Sequence, residues 1–514
     1  MTTTRIRSLL HTLFLLLLLT SCAEAPDPTA APQPTNTAVL TATAILEATP
    51  ISPTPEPARQ LTLLYTNDEH GWLAGTEPGR GAANLLGLWQ TQEGYTPDGP
   101  FLVLSGGDMW TGPAVSTWFD GESMAAVMNA MGYAAAAVGN HEFDFGLDQL
   151  AVRAAQSDFP FLSANVRYRD NGRSPLDLGI QPYAIVEAAG LRVGLIGLTS
   201  LSTPRTTSPA NVAAFEFIPY ETALRETVPR VLADGADLLV VLAHACRAEL
   251  EELAPRVADL GITVITAGHC NELFATQQNG ITLVGGGAHL ASYARVTLTV
   301  QGDEVTAAAD TAVNEGGAAD TAVAAIVQTW QEAAEAELSF VIGYTETGIA
   351  RRSAEMEALI TAAWLAGYPA ADVAITNSGG IRADIPPGDI TLADVIGVMP
   401  FDNVLVEVEL DGRQLEQVLS LADDDAIGGV RRERLRWVLQ RDGAEIERDA
   451  AYHLLVNDFM YAGGDQYALL ARLDPDAYNT AIDWRQPVID WITAQQTSPA
   501  QPLEAALADL LTNQ

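Results

Sequence analysis

Five short apolar runs, each ending in glycine, carboxylate, amide or histidine, set the strongest limit on what this chain can fold into. Residues 61–65 (LTLLY) run into Thr66-Asn67-Asp68-Glu69-His70-Gly71, and 101–105 (FLVLS) into Gly106-Gly107-Asp108. Residues 134–138 (AAAAV) run into Gly139-Asn140-His141-Glu142-Phe143-Asp144. Residues 238–243 (LLVVLA) run into His244, and 262–266 (ITVIT) into Ala267-Gly268-His269-Cys270-Asn271. Uninterrupted apolar strands are buried on both faces, and the Ala/Leu/Glu-rich helical patterns between them predict an α/β layered fold. In such sheets ligands collect where strands end, so five polar tips can converge in one crevice. Their nitrogen and oxygen donors suit hard to borderline divalent ions: Mn²⁺, Mg²⁺, Zn²⁺ or Co²⁺. Four of the seven histidines lie in these tips, which argues against chance.

At 514 residues the chain exceeds a single core and predicts two or three domains. A formal charge of −38 excludes a general binder of nucleic acid polymers. All 27 basic residues are arginine, which removes Schiff-base and P-loop lysine chemistry. Three cysteines cannot build a disulfide framework or a cysteine-rich zinc site. At the N-terminus, Arg5 and Arg7 precede an apolar run at 13–19 that is too short to span a bilayer. Leu19-Thr20-Ser21-Cys22 resembles the lipobox of bacterial lipoproteins, which makes Cys22 the expected lipid acceptor; the alternative is a plain secretory signal. The Pro/Thr/Ala-rich stretch 23–59 reads as an extended tether. The expectation is an exported protein, lipid-anchored to the cell envelope. Strands are expected to stop over 301–320, a helix to follow (TAVAAIVQTWQEAAEAEL), and a second domain to begin near Gly343 with a half-exposed strand at 404–410.

The motifs TNDEHG, GGD-x-x-x-G, GNHEFDFG, a later strand-end histidine and GHCN, in that order, resemble the binuclear metallophosphatases. Asn377-Ser378-Gly379-Gly380-Ile381-Arg382, MPFDN (399–403) and NDFMYAGGDQY (457–467) narrow the resemblance to the bacterial 5′-nucleotidase/UDP-sugar hydrolase/2′,3′-cyclic phosphodiesterase family. The resemblance implies an α/β fold: a metallophosphatase α/β/β/α sandwich with a second α/β nucleotide-recognition domain. The corresponding division is a signal at 1–22, tether at 23–59, metal domain at 60–315, linker helix at 316–342 and substrate domain at 343–514. It implies two divalent ions, with Asp68, His70 and Asn271 on the first, Asn140, His244 and His269 on the second, and Asp108 bridging. His141 would donate to the phosphoryl oxygens without holding metal, with Asp144 orienting it; a helix cap before Gly146 is a second role for Asp144. Phe401 and Phe459 match a pair of aromatics that sandwich a base, and Asn377, Asn403 and Asp465 match polar positions near base and ribose. Arg382 and Arg351, with Arg352 as the alternative register, would meet phosphate, where guanidinium forks fit better than ammonium.

Two departures from the pattern stand out. Asn271 occupies a position that is usually His or Gln, so a first metal held more loosely than the second is expected. Cys246 and Cys270 lie close to His244 and His269, and three readings stay open: a disulfide, two buried small residues, or a soft-metal trap; the sequence favours the buried thiols. His289 and His453 read as structural or surface residues. The implied function is metal-dependent release of phosphate from extracellular nucleotides. Alternatives are cyclic-nucleotide phosphodiesterase or UDP-sugar/nucleotide pyrophosphate hydrolysis, and a catalytically silent surface binding protein.

Overall fold

The computed structural model describes residues 57–513 apart from 303 and 435. The expected signal, Cys22 and all of the tether up to residue 56 lie outside the described residues. The strand-forming runs pair into two sheets. In space the first runs Glu304–Val313, Ser292–Gln301, Arg59–Thr66, Phe101–Ser105, Tyr133–Ala137, Phe161–Leu162, Ile180–Gln181. From Arg59–Thr66 onward the neighbours are parallel, and the Ser292–Gln301/Glu304–Val313 hairpin closes one edge antiparallel. The second sheet runs Leu273–Gln278, Ile281–Gly286, Val264–Ala267, Leu238–Ala243, Leu191–Leu198, Tyr183–Ala188, with a parallel centre and antiparallel edges.

The two sheets share one core, in which Leu63, Leu104 and Ala137 meet Val193, Leu242 and Val264. Helices Ala82–Leu88, Glu122–Met131 and Thr321–Leu338 cover the outer face of the first sheet through Leu85, Met128 and Val323. Tyr220–Ala233 and Arg247–Val257 cover the second through Leu224 and Leu250. The result is the expected α/β/β/α sandwich. Both faces of the central strands are dry, which is why those sequences read as uninterrupted apolar runs.

Residues beyond Leu338 form a five-stranded sheet ordered Ala426–Gly428, Val373–Thr376, Ala451–Asn457, Val404–Asp411, Tyr478–Asp483. Ala354–Gly367 and Gln486–Ala494 pack on it through Trp364 and Val488. Val404–Asp411 keeps its alternation beyond Leu405, with Val406, Val408 and Leu410 buried, Glu407 half-buried and Glu409 exposed. The strand at Glu304–Val313 corrects the expectation that strands stop after 301. Its residues are mostly small (EVTAAADTAV), so they carry little hydropathy, and pairing with Ser292–Gln301 across the Gly302 turn makes them a strand. Among the described residues no helix is long and apolar enough to cross a membrane.

Candidate active site

The carboxyl ends of the parallel strands deliver their polar tips to one place. Asp68, Asp108 and His244 are at most 2% exposed. The backbone there is unusual: Asp68, His70, Asp108, His269 and Asn271 all have φ between 47° and 70°. Non-glycine residues rarely adopt this left-handed geometry, and where they do the surroundings must hold them. One holding group is Glu142, whose buried carboxylate accepts the backbone N–H of Asp108 (2.9 Å), Met109 (2.7 Å) and Gly139 (2.5 Å). A Cβ on Gly139 would lie 2.1 Å from Asp108 Oδ1, so only glycine lets that carboxylate rest against the 139–144 loop.

The histidines are aimed. His70 Nδ1 lies 2.9 Å from the Thr111 carbonyl and His244 Nδ1 2.8 Å from the Gly106 carbonyl, which leaves each Nε2 facing inward as the lone-pair donor. His244 Nε2 sits 3.0 Å from Asp108 Oδ2 and 3.2 Å from Asn140 Oδ1. Two groups have donor atoms within 4.8 Å of one another: His70, Asp108 and His141, and Asp108, His244 and His269. Asp108 belongs to both, as a bridging ligand must. Asp68 is next to the first group, its Oδ1 4.0 Å from His70 Nε2, and Asn271 is exposed at the rim. All the donors are imidazole nitrogen or carboxylate and amide oxygen, a set that fits borderline divalent ions.

The buried charges of the cluster act on one another. Burial raises Asp68 to about 6, with His244 opposing and Asp108 adding to the shift. Burial lowers His244, but Asp108 outweighs it and pushes the ring up to about 10. His269 is pulled down to about 4, by burial first and then by His244. His141 Nδ1 lies 2.6 Å from Asp144 Oδ2, and Thr207 Oγ1 donates to the other oxygen at 2.8 Å. Burial lowers His141, yet the carboxylates of Asp144 and Asp108 leave it raised. Asp144 is not the cap of the next helix, since Phe145 holds that position ahead of Gly146–Gln156.

Residues beyond 340 reach this cluster directly. Arg382 Nη2 donates to His70 Nε2 at 3.4 Å, and the Phe401 ring stacks on His141 with centroids 5.7 Å apart and planes 24° apart. A cavity of about 600 Å³ is lined by Asp108, His141, Phe401, Asn403, Phe459 and Asp465. Asp465 accepts from Asn377 Nδ2 at 2.7 Å, and Asn377 in turn accepts from Asn457 at 2.9 Å. A Cβ on Gly464 would lie 2.3 Å from the Phe459 ring, so the second glycine of GGDQY is the floor on which that ring rests.

A second cavity of about 530 Å³ joins the first at His70, Asn271 and Arg382 and is lined by Arg351, Arg352, Trp72 and His289. The guanidinium hydrogen bonds of Arg351 and Arg382 go to the Arg382 and Gly379 carbonyls and to His70, not to carboxylates. His289, expected to be structural or at the surface, is half-buried, its ring 5.3 Å from Trp72 and 5.8 Å from His70. Cys246 and Cys270 form a disulfide, with Cα atoms 5.2 Å apart, which corrects the buried-thiol reading. Neither placement was legible locally, because each depends on which strand ends become neighbours.

Comparison with known proteins agrees with this arrangement. Residues 341–472 match the family model of the 5′-nucleotidase C-terminal domain. Over most of its length the chain is similar to 5′-nucleotidases. It is 25% identical to a 5′-nucleotidase of Vibrio cholerae, over 85% of this chain and 90% of that protein. It is likewise 25% identical to Protein UshA of Escherichia coli, over 82% of this chain and 89% of that one. The crystal structure of a 5′-nucleotidase precursor from Thermus thermophilus shares the fold with a TM-score of 0.73 at 24% identity, covering 85% of this chain and 97% of that one.

Proposed function

We propose that this chain is a metal-dependent phosphoric ester hydrolase acting on nucleotides. The observation that carries the reading is the convergence of two donor groups on Asp108 beside a cavity lined by Phe401 and Phe459. His70, Asp68 and Asn271 would hold one divalent ion, Asn140, His244 and His269 the other, with Asp108 between them; Mn²⁺, Zn²⁺, Co²⁺ and Mg²⁺ all suit these donors. When bound, such a pair supplies a water of lowered pKa and charge neutralisation for in-line displacement. His141, with Asp144 holding Nδ1, presents Nε2 to a phosphoryl oxygen and stabilises charge gathering there. His141 also lies within donor range of His70 and Asp108, so its role as a non-ligand is a specific claim of this reading. Arg382 offers its guanidinium to the phosphate, with Arg351 and Arg352 behind it. Phe401 and Phe459 offer stacking faces, while Asn377, Asn403 and Asp465 supply polar contacts around a nucleoside.

The domain division at the Thr321–Leu338 helix is part of the proposal: a metal domain at 60–315 and a substrate domain at 343–514. So is export with lipid attachment at Cys22, supported by the LTSC motif and by a disulfide that favours an oxidising compartment. A second reading, hydrolysis of nucleotide pyrophosphates or nucleotide sugars, is favoured by the second cavity. A group joined beyond the reacting phosphate would find Trp72, His289 and the arginines there. Identifying the products from AMP, ADP, UDP-glucose and 2′,3′-cyclic AMP, with the metal varied, separates these readings: inorganic phosphate marks monoester cleavage, UMP with glucose 1-phosphate marks pyrophosphate cleavage, and a nucleoside monophosphate marks opening of the cyclic ester. Release from AMP and ADP is expected, and a protein inactive on the whole panel with every metal contradicts the proposal.

A further inference from the structure

We infer that the Cys246–Cys270 disulfide is a positioning element for the metal group containing His269, so that opening it weakens that group's hold on its ion. This rests on the metal-dependent reading above. Cys246 stands two residues after His244, at the start of the Arg247–Val257 helix, and Cys270 directly follows His269. The bond therefore joins the two strand ends that supply the histidines of one donor group, whose rings are 5.2 Å apart.

The turn it fastens needs fastening. Cys270 lies between His269 at φ 70° and Asn271 at φ 57°, two non-glycine residues in the left-handed region. Such geometry relaxes unless neighbouring structure over-determines it. Apart from the disulfide, the direct ties between the two strand ends are few. Ala243 N–H donates to Thr266 Oγ1 at 3.4 Å and Gly268 N–H to the Ala245 carbonyl at 3.1 Å; on the outer side Arg247 N–H donates to Glu272 at 3.2 Å and its guanidinium lies 4.9 Å from the Phe274 ring centroid. His269 itself is fixed by its N–H to Asp68 Oδ1 at 3.1 Å and its Nε2 to Ser202 Oγ at 3.1 Å. The His70 group draws its buried donors from other loops: His70 leans on Thr111, and Asp108 and His141 are held through Glu142 and Asp144. Of the donors assigned to that group only Asn271, exposed at the rim, adjoins Cys270, so opening the disulfide acts unequally on the two groups. Cys270 is exposed and Cys246 half-buried, so a reductant can reach the bond.

The test is stepwise Co²⁺ titration of the full chain, followed by visible absorption, in oxidised and opened forms. A phosphine opens the bond: the S–S bond breaks, the phosphine is oxidised to its oxide with oxygen from water, and the water's two protons go to the two thiols. C246S/C270S provides the same opening without reductant. One of two dissociation constants should rise about tenfold or more while the other stays within about threefold, in the range seen when partners that orient metal ligands are removed. Far-UV circular dichroism should be unchanged, and excess Co²⁺ should restore phosphate release. Equal constants in both forms, or an equal rise in both, would overturn the inference and leave the disulfide as a plain staple. If C246S/C270S fails to fold, chelator extraction from oxidised and phosphine-treated wild type reads the same contrast: faster loss of one ion supports the inference, and identical release overturns it. Absence of Co²⁺ binding by the oxidised protein would overturn the metal-dependent reading itself, and this inference with it.

Discussion

His141 has a partner at each ring nitrogen: Asp144 fixes Nδ1 at 2.6 Å, while Nε2 looks towards Asp108 Oδ2 at 4.0 Å. A residue that donates to the reacting phosphate without holding metal should be removable at the cost of rate alone. His141→Ala is expected to lower kcat by roughly 10²–10⁴-fold, the usual range for a positioned acid or base, with metal content unchanged. Loss of an ion in that variant, measured by elemental analysis, would make His141 a ligand. Glu142 is different, since it holds backbone rather than substrate. Glu142→Gln turns one acceptor oxygen into an NH₂ facing backbone donors, so a loss of about 1–3 kcal/mol in unfolding free energy is expected, read by denaturant titration. An unchanged midpoint would remove Glu142 from the scaffold. The donors that converge on Asp108 were legible because each lies just past an apolar run. Glu142 was passed over because its partners at 108 and 109 lie more than thirty residues away, and His289 because no apolar strand points to it.

The Thr321–Leu338 helix matches its sequence pattern residue for residue, and its start has an evident cause. Asp320 accepts the N–H groups of Ala322 and Val323 at 3.0 and 3.1 Å. Asp320→Ala should cost about 0.5–2 kcal/mol near neutral pH. A hydrogen bond from Gln90 and those of the cap lower the Asp320 pKa. The stabilisation is therefore present above the ordinary carboxylate range and fades as pH falls through the lowered value. Thermal melts of both proteins should converge in acid, and a gap that stays constant with pH would contradict the cap. Long amphipathic patterns of this kind announce themselves. The strand at Glu304–Val313 does not, since its Ala and Thr gain their strand character from the neighbour they pair with. Phe459 shows the same dependence on context. Its sequence motif marks it for the base, and Gly464 is what supports its ring at the cavity wall.

At the scale of the whole molecule, the account requires the second domain to choose the substrate and the first to cleave it. Phe459 lies away from the metal ligands, so Phe459→Ala should lower kcat/KM for AMP by the loss of one stack, ~1–3 kcal/mol or roughly 5–150-fold, and spare a small aryl phosphate. Phe401→Ala should affect both substrates, because its ring also packs on His141. Equal loss on both substrates from Phe459→Ala would place that ring in the core instead. The order of motifs along the chain was enough to read a metal centre followed by a nucleotide cavity. The contacts that join them, Arg382 to His70 and Phe401 to His141, depend on how the two halves pack and have no local signature. The claim beneath all of this is that phosphate release needs both donor groups filled. It is tested most directly by stripping the full chain of metal and measuring phosphate release from AMP while Mn²⁺ is added back stepwise. The account predicts no release from the stripped protein and activity that climbs with the second equivalent. Release without metal, or full activity at the first equivalent, would contradict it.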